Sequence, residues 1–255
     1  MQEIIRVSDV EKYYGNGDHV TKAVDRVSFA VQQGEFIGVM GASGSGKTTL
    51  LNMLSTIDSV TAGHIYYGNT DITELGEEQL SEFRKNELGF IFQEYNLLDT
   101  LTLEENIMLV MTLHKHKKKE IEKRCAELLR LLGIEAVKDQ YPYQVSGGQK
   151  QRCACARALA NHPTLLLADE PTGALDSLSA QTLLETFTDM NRRMGATIFM
   201  VTHDAFSASY CSRILFLKDG KIFHELVRGE KTRREFLNEI LDVLTLTGGD
   251  RSHDA

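Results

Sequence analysis

Residues 35–54 run Glu35-Phe36-Ile37-Gly38-Val39-Met40, then Gly41-Ala42-Ser43-Gly44-Ser45-Gly46-Lys47-Thr48, then Thr49-Leu50-Leu51-Asn52-Met53-Leu54. The first part is a short apolar strand, the second matches G-x-x-x-x-G-K-[ST], and the third has helical spacing. Strand, glycine loop and helix form the context in which this spacing makes an anion cradle. The glycines let backbone N–H groups curl around an anion, and the helix adds the positive end of its dipole. On this reading Gly41 to Thr49 bind a nucleoside triphosphate. Lys47 reaches the β- and γ-phosphates, and the Thr48 hydroxyl holds Mg²⁺. The competing reading is a Gly-rich turn with a chance lysine, and it needs eight residues to coincide in the right strand-to-helix context.

Working outward, a second apolar strand ends in chemistry. Thr164 to Asp169 (TLLLAD) is a buried strand that delivers Asp169 and then Glu170. Beside a phosphate loop, Asp169 belongs in the shell of the metal ion, through water or directly. Glu170 is placed to orient or deprotonate an attacking water, a general-base contribution of ~10²–10⁴-fold. Solvated loop acids are the plain alternative. The remaining core pattern is a helix over Ser179 to Met194, a buried strand over Ala196 to Thr202, and a hairpin from Arg213 to Lys218 through Asp219-Gly220 to Lys221–Glu225. Alternating strands and helices predict a largely parallel sheet. Before the phosphate loop, Ile4 to Val10 and Ala23 to Val31 alternate as strands around a turn-rich Tyr14 to Asp18. Asn96 to about Tyr143 has Leu-rich helical periodicity and almost no strand signal, as expected of a helical lobe inserted into the α/β core.

A chain of 255 residues can bury a full core without disulfides. Its net charge of −8 argues against a broad nucleic-acid surface, so no nucleic-acid partner is expected. The one dense basic run, His114 to Lys119 (HKHKKK), reads as a solvated loop and first helical turn, or as a patch facing anionic headgroups. Cys125, Cys153, Cys155 and Cys211 show no metal-binding spacing and read as small buried thiols. No export signal is expected at the N-terminus, and no run approaches the ~20 apolar residues a membrane helix needs.

Val145-Ser146-Gly147-Gly148-Gln149 closely resembles the LSGGQ signature of ABC ATPases, with Val in place of the first Leu. The resemblance extends over nearly the whole chain. It takes in an aromatic residue before the first turn (Tyr14), the Q-loop glutamine Gln93, the D-loop Ala174-Leu175-Asp176, and His203 in Val201-Thr202-His203-Asp204. The fold it implies is a P-loop NTPase (RecA-like) α/β core with an N-terminal antiparallel β subdomain and an inserted α-helical subdomain at about 94–150. The ATPase domain would span 1–228, with a C-terminal helix and tail over 229–255. In that tail Glu235 to Leu246 sets Phe236, Ile240, Val243 and Leu244 near one face. Packing on its own core, or against a partner, are the two readings. Gly248-Gly249 is expected to end the helix, with disordered residues beyond.

The resemblance also assigns roles. Tyr14 stacks on adenine, with Tyr13 the alternative. Gln93 touches Mg²⁺ or the water and reports nucleotide state to the helical lobe. Ser146, Gly147, Gly148 and Gln149 form a second anion site at a helix start, His203 bonds the γ-phosphate, and Asp176 crosses to a partner subunit. ATP and Mg²⁺ are thus the implied cofactors, with Thr48, Gln93 and Asp169 around the metal and Glu170, His203 and Gln93 catalytic. Because phosphate loop and signature lie on separate faces, a head-to-tail homodimer closed by ATP is implied. Stretches such as Gln93–Leu98, Ala168–Asp176 and Leu54–Asp58 resemble the branch that serves MacB-type and FtsX-type permeases, most closely the Bce-type antimicrobial-peptide transporters. Those serve resistance to bacitracin and lantibiotics at the cytoplasmic face of the membrane, with an integral permease and often a two-component sensor kinase. Lipoprotein release or macrolide export is the alternative within the branch. A soluble ABC ATPase acting on nucleic acid or ribosomes, and a catalytically dead nucleotide clamp, are the readings from other classes. The first fits poorly with the acidic balance, the second with the presence of Lys47, Asp169, Glu170 and His203.

Overall fold

The computed structural model describes residues 2–15 and 19–248. The N-terminal hairpin pairs strand β1 (Glu3–Tyr14) with β2 (Thr21–Gln32), and the buried β3 (Phe36–Met40) leads through the glycine loop into helix α1 (Lys47–Leu54). Strands β4 (Ala62–Tyr67) and β5 (Thr70–Asp71) follow, then α2 (Glu77–Glu87) and β6 (Leu88–Ile91). The helical lobe carries α3 (Leu103–Leu113), α4 (Lys118–Leu131) and the start of α5 (Gly147–Leu159). The core resumes with β7 (Leu165–Asp169), α6 (Ser177–Met194), β8 (Ile198–Thr202), the short α7 (Ala205–Ala208), β9 (Arg213–Lys218) and β10 (Lys221–Val227). Helix α8 (Arg233–Gly248) closes the described chain.

Two sheets result. One is antiparallel, in the order β2-β1-β4-β5, and the other has six strands in the order β10-β9-β3-β8-β7-β6. From β9 to β6 all neighbours are parallel, and only β10 runs against its neighbour. A parallel sheet is covered on both faces, so its strands are apolar throughout. The alternation of side chains still decides which layer each residue joins. Ile37, Val39, Leu165, Leu167, Phe199 and Val201 face the layer holding α1 and the antiparallel sheet. Met40, Leu166, Ala168, Ile198 and Met200 face the layer built from α5, α6 and α8. Each Val, Leu, Ile, Met or Phe side chain among them contributes about 1.5–3 kcal/mol by burial.

Local signals fix the helix ends. Thr102 and Glu105 form a reciprocal capping box on α3, Thr232 and Glu235 do the same on α8, and Gly195 ends α6 at φ +67°. Phe236 and Ile240 of α8 are fully buried, and Val243 and Leu244 pack on the same cluster, so the tail helix covers its own core. The expected end at Gly248-Gly249 and the disordered residues beyond reach past the last described residue, and the expected turn at 16–18 also lies outside the described residues.

Several elements differ from the sequence expectation. β1 continues through Tyr14, because its pairing with β2 runs on to Tyr14 opposite Thr21, beyond the point where β4 leaves it at Glu11. The basic run, by contrast, follows the expectation: 115–117 are exposed loop and Lys118-Lys119 open the first turn of α4. The segment 62–91 adds two strands, a helix and the edge strand of the main sheet, none of which the motif-led reading found. All four cysteines are free and buried. Burial pushes the Cys125 and Cys153 thiols up to about 12, and raises those of Cys155 and Cys211 further.

Candidate functional site

Four neighbouring parallel strands deliver their carboxyl ends to one edge of the main sheet. β3 ends at the glycine loop, β8 at His203, β7 at Asp169-Glu170 and β6 just before Gln93. Open α/β sheets bind ligands at this edge, because the chain must turn there and its backbone N–H groups are free to face a ligand.

The phosphate loop is shaped by its glycines. Gly46 precedes α1 at φ +103°, and a Cβ there would lie 2.2 Å from the Ala23 carbonyl oxygen. Gly41 is constrained by space, since a Cβ would fall 2.3 Å from the Leu217 carbonyl oxygen and 2.4 Å from Ser45 Oγ. Lys47 folds back over the loop, its Nζ donating to the carbonyls of Gly41 and Ala42 at 2.9 Å each. Burial lowers the Lys47 pKa, and the nearby Glu170 and Asp169 carboxylates oppose that shift. Thr48 stands exposed at the first turn of α1, with Thr49 half-buried behind it.

Asp169 faces this lysine from the end of β7. Its Oδ1 is buried and has no hydrogen-bond partner among the described residues. Burial first, and then repulsion from Glu170, raises its pKa. A buried carboxylate oxygen without a donor is costly, and a divalent cation would satisfy it. The donor set of Asp169, the exposed Thr48 hydroxyl and the Gln93 amide consists of hard oxygen ligands, which suits Mg²⁺.

Glu170 occupies the left-handed region at φ +45°, unusual for a residue with a Cβ. Its backbone is held on both sides: the N–H donates to the Val201 carbonyl at 3.0 Å, and its carbonyl accepts from the Gly173 N–H at 3.0 Å. The carboxylate accepts the His203 backbone N–H at 3.3 Å and lies 2.9 Å from His203 Nδ1. Glutamate and histidine therefore form one unit, with the His203 side chain largely exposed. The Gln93 amide lies over Gly173, where a Cβ would come within 2.9 Å of its nitrogen, so a larger residue at 173 would displace it.

The two candidate tyrosines diverge. The Tyr14 hydroxyl donates to Asp58 at 2.6 Å and meets the Thr49 side chain, which sets its ring beside the phosphate-loop helix. Tyr13 turns the other way, its ring under Lys22 Nζ and its hydroxyl on Glu11. Asp58, the anchor of Tyr14, has no phosphate-handling motif around it, so its place in the site appears only from this bond.

The signature and the D-loop adjoin each other, a Cβ on Gly147 falling 3.7 Å from Leu175 Cδ2. Ser146 caps α5: its Oγ accepts from the Gln149 N–H at 3.3 Å, while its own N–H donates to the Gln149 side chain at 2.9 Å. The Ser146 backbone N–H is thus engaged within its own chain, whereas the hydroxyl only accepts there and keeps its proton for an anion. Gly147 and Gly148 then supply the first helical N–H groups, which have no intrahelical acceptor. Asp176 is likewise engaged, capping α6 through the Leu178 and Ser179 N–H groups and the Ser179 hydroxyl. Those bonds lower its pKa.

Comparison with known proteins agrees with this geometry. The ABC transporter family model matches residues 24–173. The bacitracin export ATP-binding protein BceA of Halalkalibacterium halodurans is 46% identical over 246 residues, covering 96% of this chain and 97% of that protein. The macrolide export ATP-binding/permease protein MacB of Mannheimia succiniciproducens is 40% identical over 222 residues, which cover 87% of this chain and 34% of that longer protein. Among solved structures, the dimeric post-hydrolysis state of the cassette MJ0796 of Methanocaldococcus jannaschii, bound to ADP and Pi, superposes with a TM-score of 0.79 at 37% identity, covering 88% of this chain and 98% of that one.

Proposed function

This chain belongs to the ABC transporter family and hydrolyses ATP, and we propose that it powers a membrane permease that removes or exports cell-wall-active peptides such as bacitracin or lantibiotics. The observation that carries the cargo class is the 46% identity to a bacitracin export ATP-binding protein, spread over nearly the full length of both chains. Among the described residues no helix is long and apolar enough to cross a membrane, so the proposal assigns membrane passage to the permease. A relative that carries a permease on the same chain supports that pairing. The chain would act at the cytoplasmic face, beside a sensor kinase in the same resistance module.

The residues divide the work as follows. The loop Gly41 to Thr49 binds the phosphates through backbone N–H groups and Lys47. Thr48, Asp169 and Gln93 hold a divalent cation, which when bound neutralises charge on the phosphate oxygens. Glu170 takes a proton from the attacking water, and His203 orients that carboxylate and bonds the terminal phosphate. The Gly147 and Gly148 amides, with Ser146 and Gln149 framing them, face the phosphate bound on a second copy in a head-to-tail pair; a dimeric cassette relative supports the pairing itself. Asp176 lies on the path between the two copies. The ATPase unit is taken as residues 1–228 with the helical lobe at about 94–150, and residues 229–255 as its C-terminal helix and tail.

Tyr14 is assigned the adenine, since its ring flanks the phosphate-loop helix whereas Tyr13 points toward Lys22. Stacking of a base on an aromatic ring contributes ~1–3 kcal/mol, so Tyr14→Ala should weaken ATP binding ~5- to 150-fold. Tyr13→Ala should leave it unchanged. Titration with a fluorescent ATP analogue separates the two; equal losses in both variants would remove Tyr14 from the role.

Deleting the gene and measuring susceptibility to a panel of bacitracin, lantibiotics and macrolides tests the cargo class. Increased sensitivity to one or more of the peptides is expected. Sensitivity to macrolides alone would move the assignment to the second reading, macrolide export, for which the MacB relative speaks. No change for any peptide would overturn the peptide assignment.

A further inference from the structure

Helix α5 begins at the signature and carries a glutamine that neither the motifs nor the proposed chemistry uses. Gln151 is wholly buried, in a helix whose other buried residues are Gly, Cys, Ala and Leu. Its Nε2 donates to two carbonyls from different segments, that of Phe92 at 3.3 Å and that of Pro171 at 3.0 Å. Phe92 immediately precedes Gln93, and Pro171 immediately follows Glu170. One amide therefore joins the backbones on which the two reaction-centre side chains stand. Both flanking groups are acceptors, so the orientation of the amide is fixed: only the NH₂ end can face them. The other end, Oε1, is buried without a partner among the described residues. A buried unpaired oxygen is costly, and an apolar residue of the same size would avoid that cost.

The same helix grips the Q-loop twice more. Arg157 donates to the Tyr95 carbonyl at 2.9 Å and to that of Asn96. Tyr95 and Asn96 both sit at positive φ, +61° and +49°, a conformation that persists in non-glycine residues when neighbours hold it. The Tyr95 side chain lies against Gly147 of the signature, 2.9 Å from where a Cβ would stand. Gln93 is thus bracketed on both sides by bonds to the signature helix.

We propose that Gln151 is a positioning residue that fixes the Gln93 and Glu170 segments to each other and to the signature helix. Movement of that helix then carries the Q-loop and the carboxylate of Glu170 together. Glu170 is the more sensitive end, because its left-handed backbone is held by the turn that Pro171 opens. The inference rests on the roles given to Glu170 and Gln93 above, so Glu170→Gln is assayed beside it.

The test is Gln151→Met, which keeps length and removes the amide donor of both bonds, with Gln151→Leu as the uncharged second variant should the first fail to fold. A displacement of about 1 Å at a reacting group can cost ~10²-fold, so kcat for ATP hydrolysis should fall ~10- to 100-fold. KM for ATP and binding of a fluorescent ATP analogue should stay at wild-type values, since Gln151 touches neither the phosphate loop nor the base site. Wild-type kcat in either folded variant would overturn the proposal. So would a parallel loss of kcat, nucleotide affinity and thermal midpoint, which marks a purely structural role. Wild-type turnover in Glu170→Gln would remove the premise and the proposal with it, and is told apart from the other failures because it appears in that control.

Discussion

Glu170→Gln should reduce ATP turnover by ~10²–10⁴-fold, the range of a lost general base, while leaving ATP binding intact. The substitution keeps the size of the side chain, and an amide oxygen can still accept the His203 backbone N–H that the carboxylate accepts at 3.3 Å. It removes the group that takes the proton from water. ATP binding favours the closed pair only as long as the terminal phosphate is present, because that phosphate is what the signature of one copy contacts on the other. Blocking hydrolysis should therefore convert a transient pair into a lasting one. On a sizing column with ATP and Mg²⁺ the variant should elute as a dimer, and the wild-type chain should return to monomer as ATP is consumed. A variant that stays monomeric at saturating ATP would contradict the shared-site arrangement.

The second large effect is at Lys47. Removing one partner of a buried, hydrogen-bonded charge pair costs ~2–5 kcal/mol, so Lys47→Ala should weaken ATP binding roughly 30- to 5,000-fold. The fold should survive. In the described structure Lys47 Nζ bonds only the carbonyls of Gly41 and Ala42, within its own loop, and supports no other element. A fluorescent-nucleotide titration with a parallel thermal melt reads both halves of the expectation. Unchanged affinity would mean that the backbone of the loop binds the phosphates without its lysine.

Much of this arrangement can be read from sequence, for a physical reason. Anion cradles and strand-end acids need particular residue types at fixed spacing, so Gly41 to Thr48 and Asp169-Glu170 identify themselves. The parallel strands do so as well, since burial on both faces demands unbroken apolar runs such as Leu165 to Ala168. The stretch 62–91 is less legible. Helix α2 buries none of its residues, so it lacks the apolar stripe that periodicity detects. β6 is a four-residue edge strand containing a glycine. Tyr14 and Tyr13 are indistinguishable in sequence because both are tyrosines in one strand; their partners, Asp58 for one and Glu11 with Lys22 for the other, separate them. Gln151 and Arg157 are silent for another reason. Their bonds go to backbone carbonyls, which every residue possesses, so nothing in the partner sequence marks the pairing. Ser146 and Asp176 show the converse: the motif located them, but their local role as helix caps appears only once the helix starts are seen.

The four sealed cysteines have a practical consequence. A thiolate is the form that reacts with maleimides and iodoacetamides, and every native thiol here is buried and shifted away from it. The chain is therefore its own blank for labelling chemistry. A single cysteine placed on the exposed surface of the helical lobe, and another on the core, would take dyes selectively without first stripping the native ones. The distance between two such dyes would follow the swing of the lobe turnover by turnover.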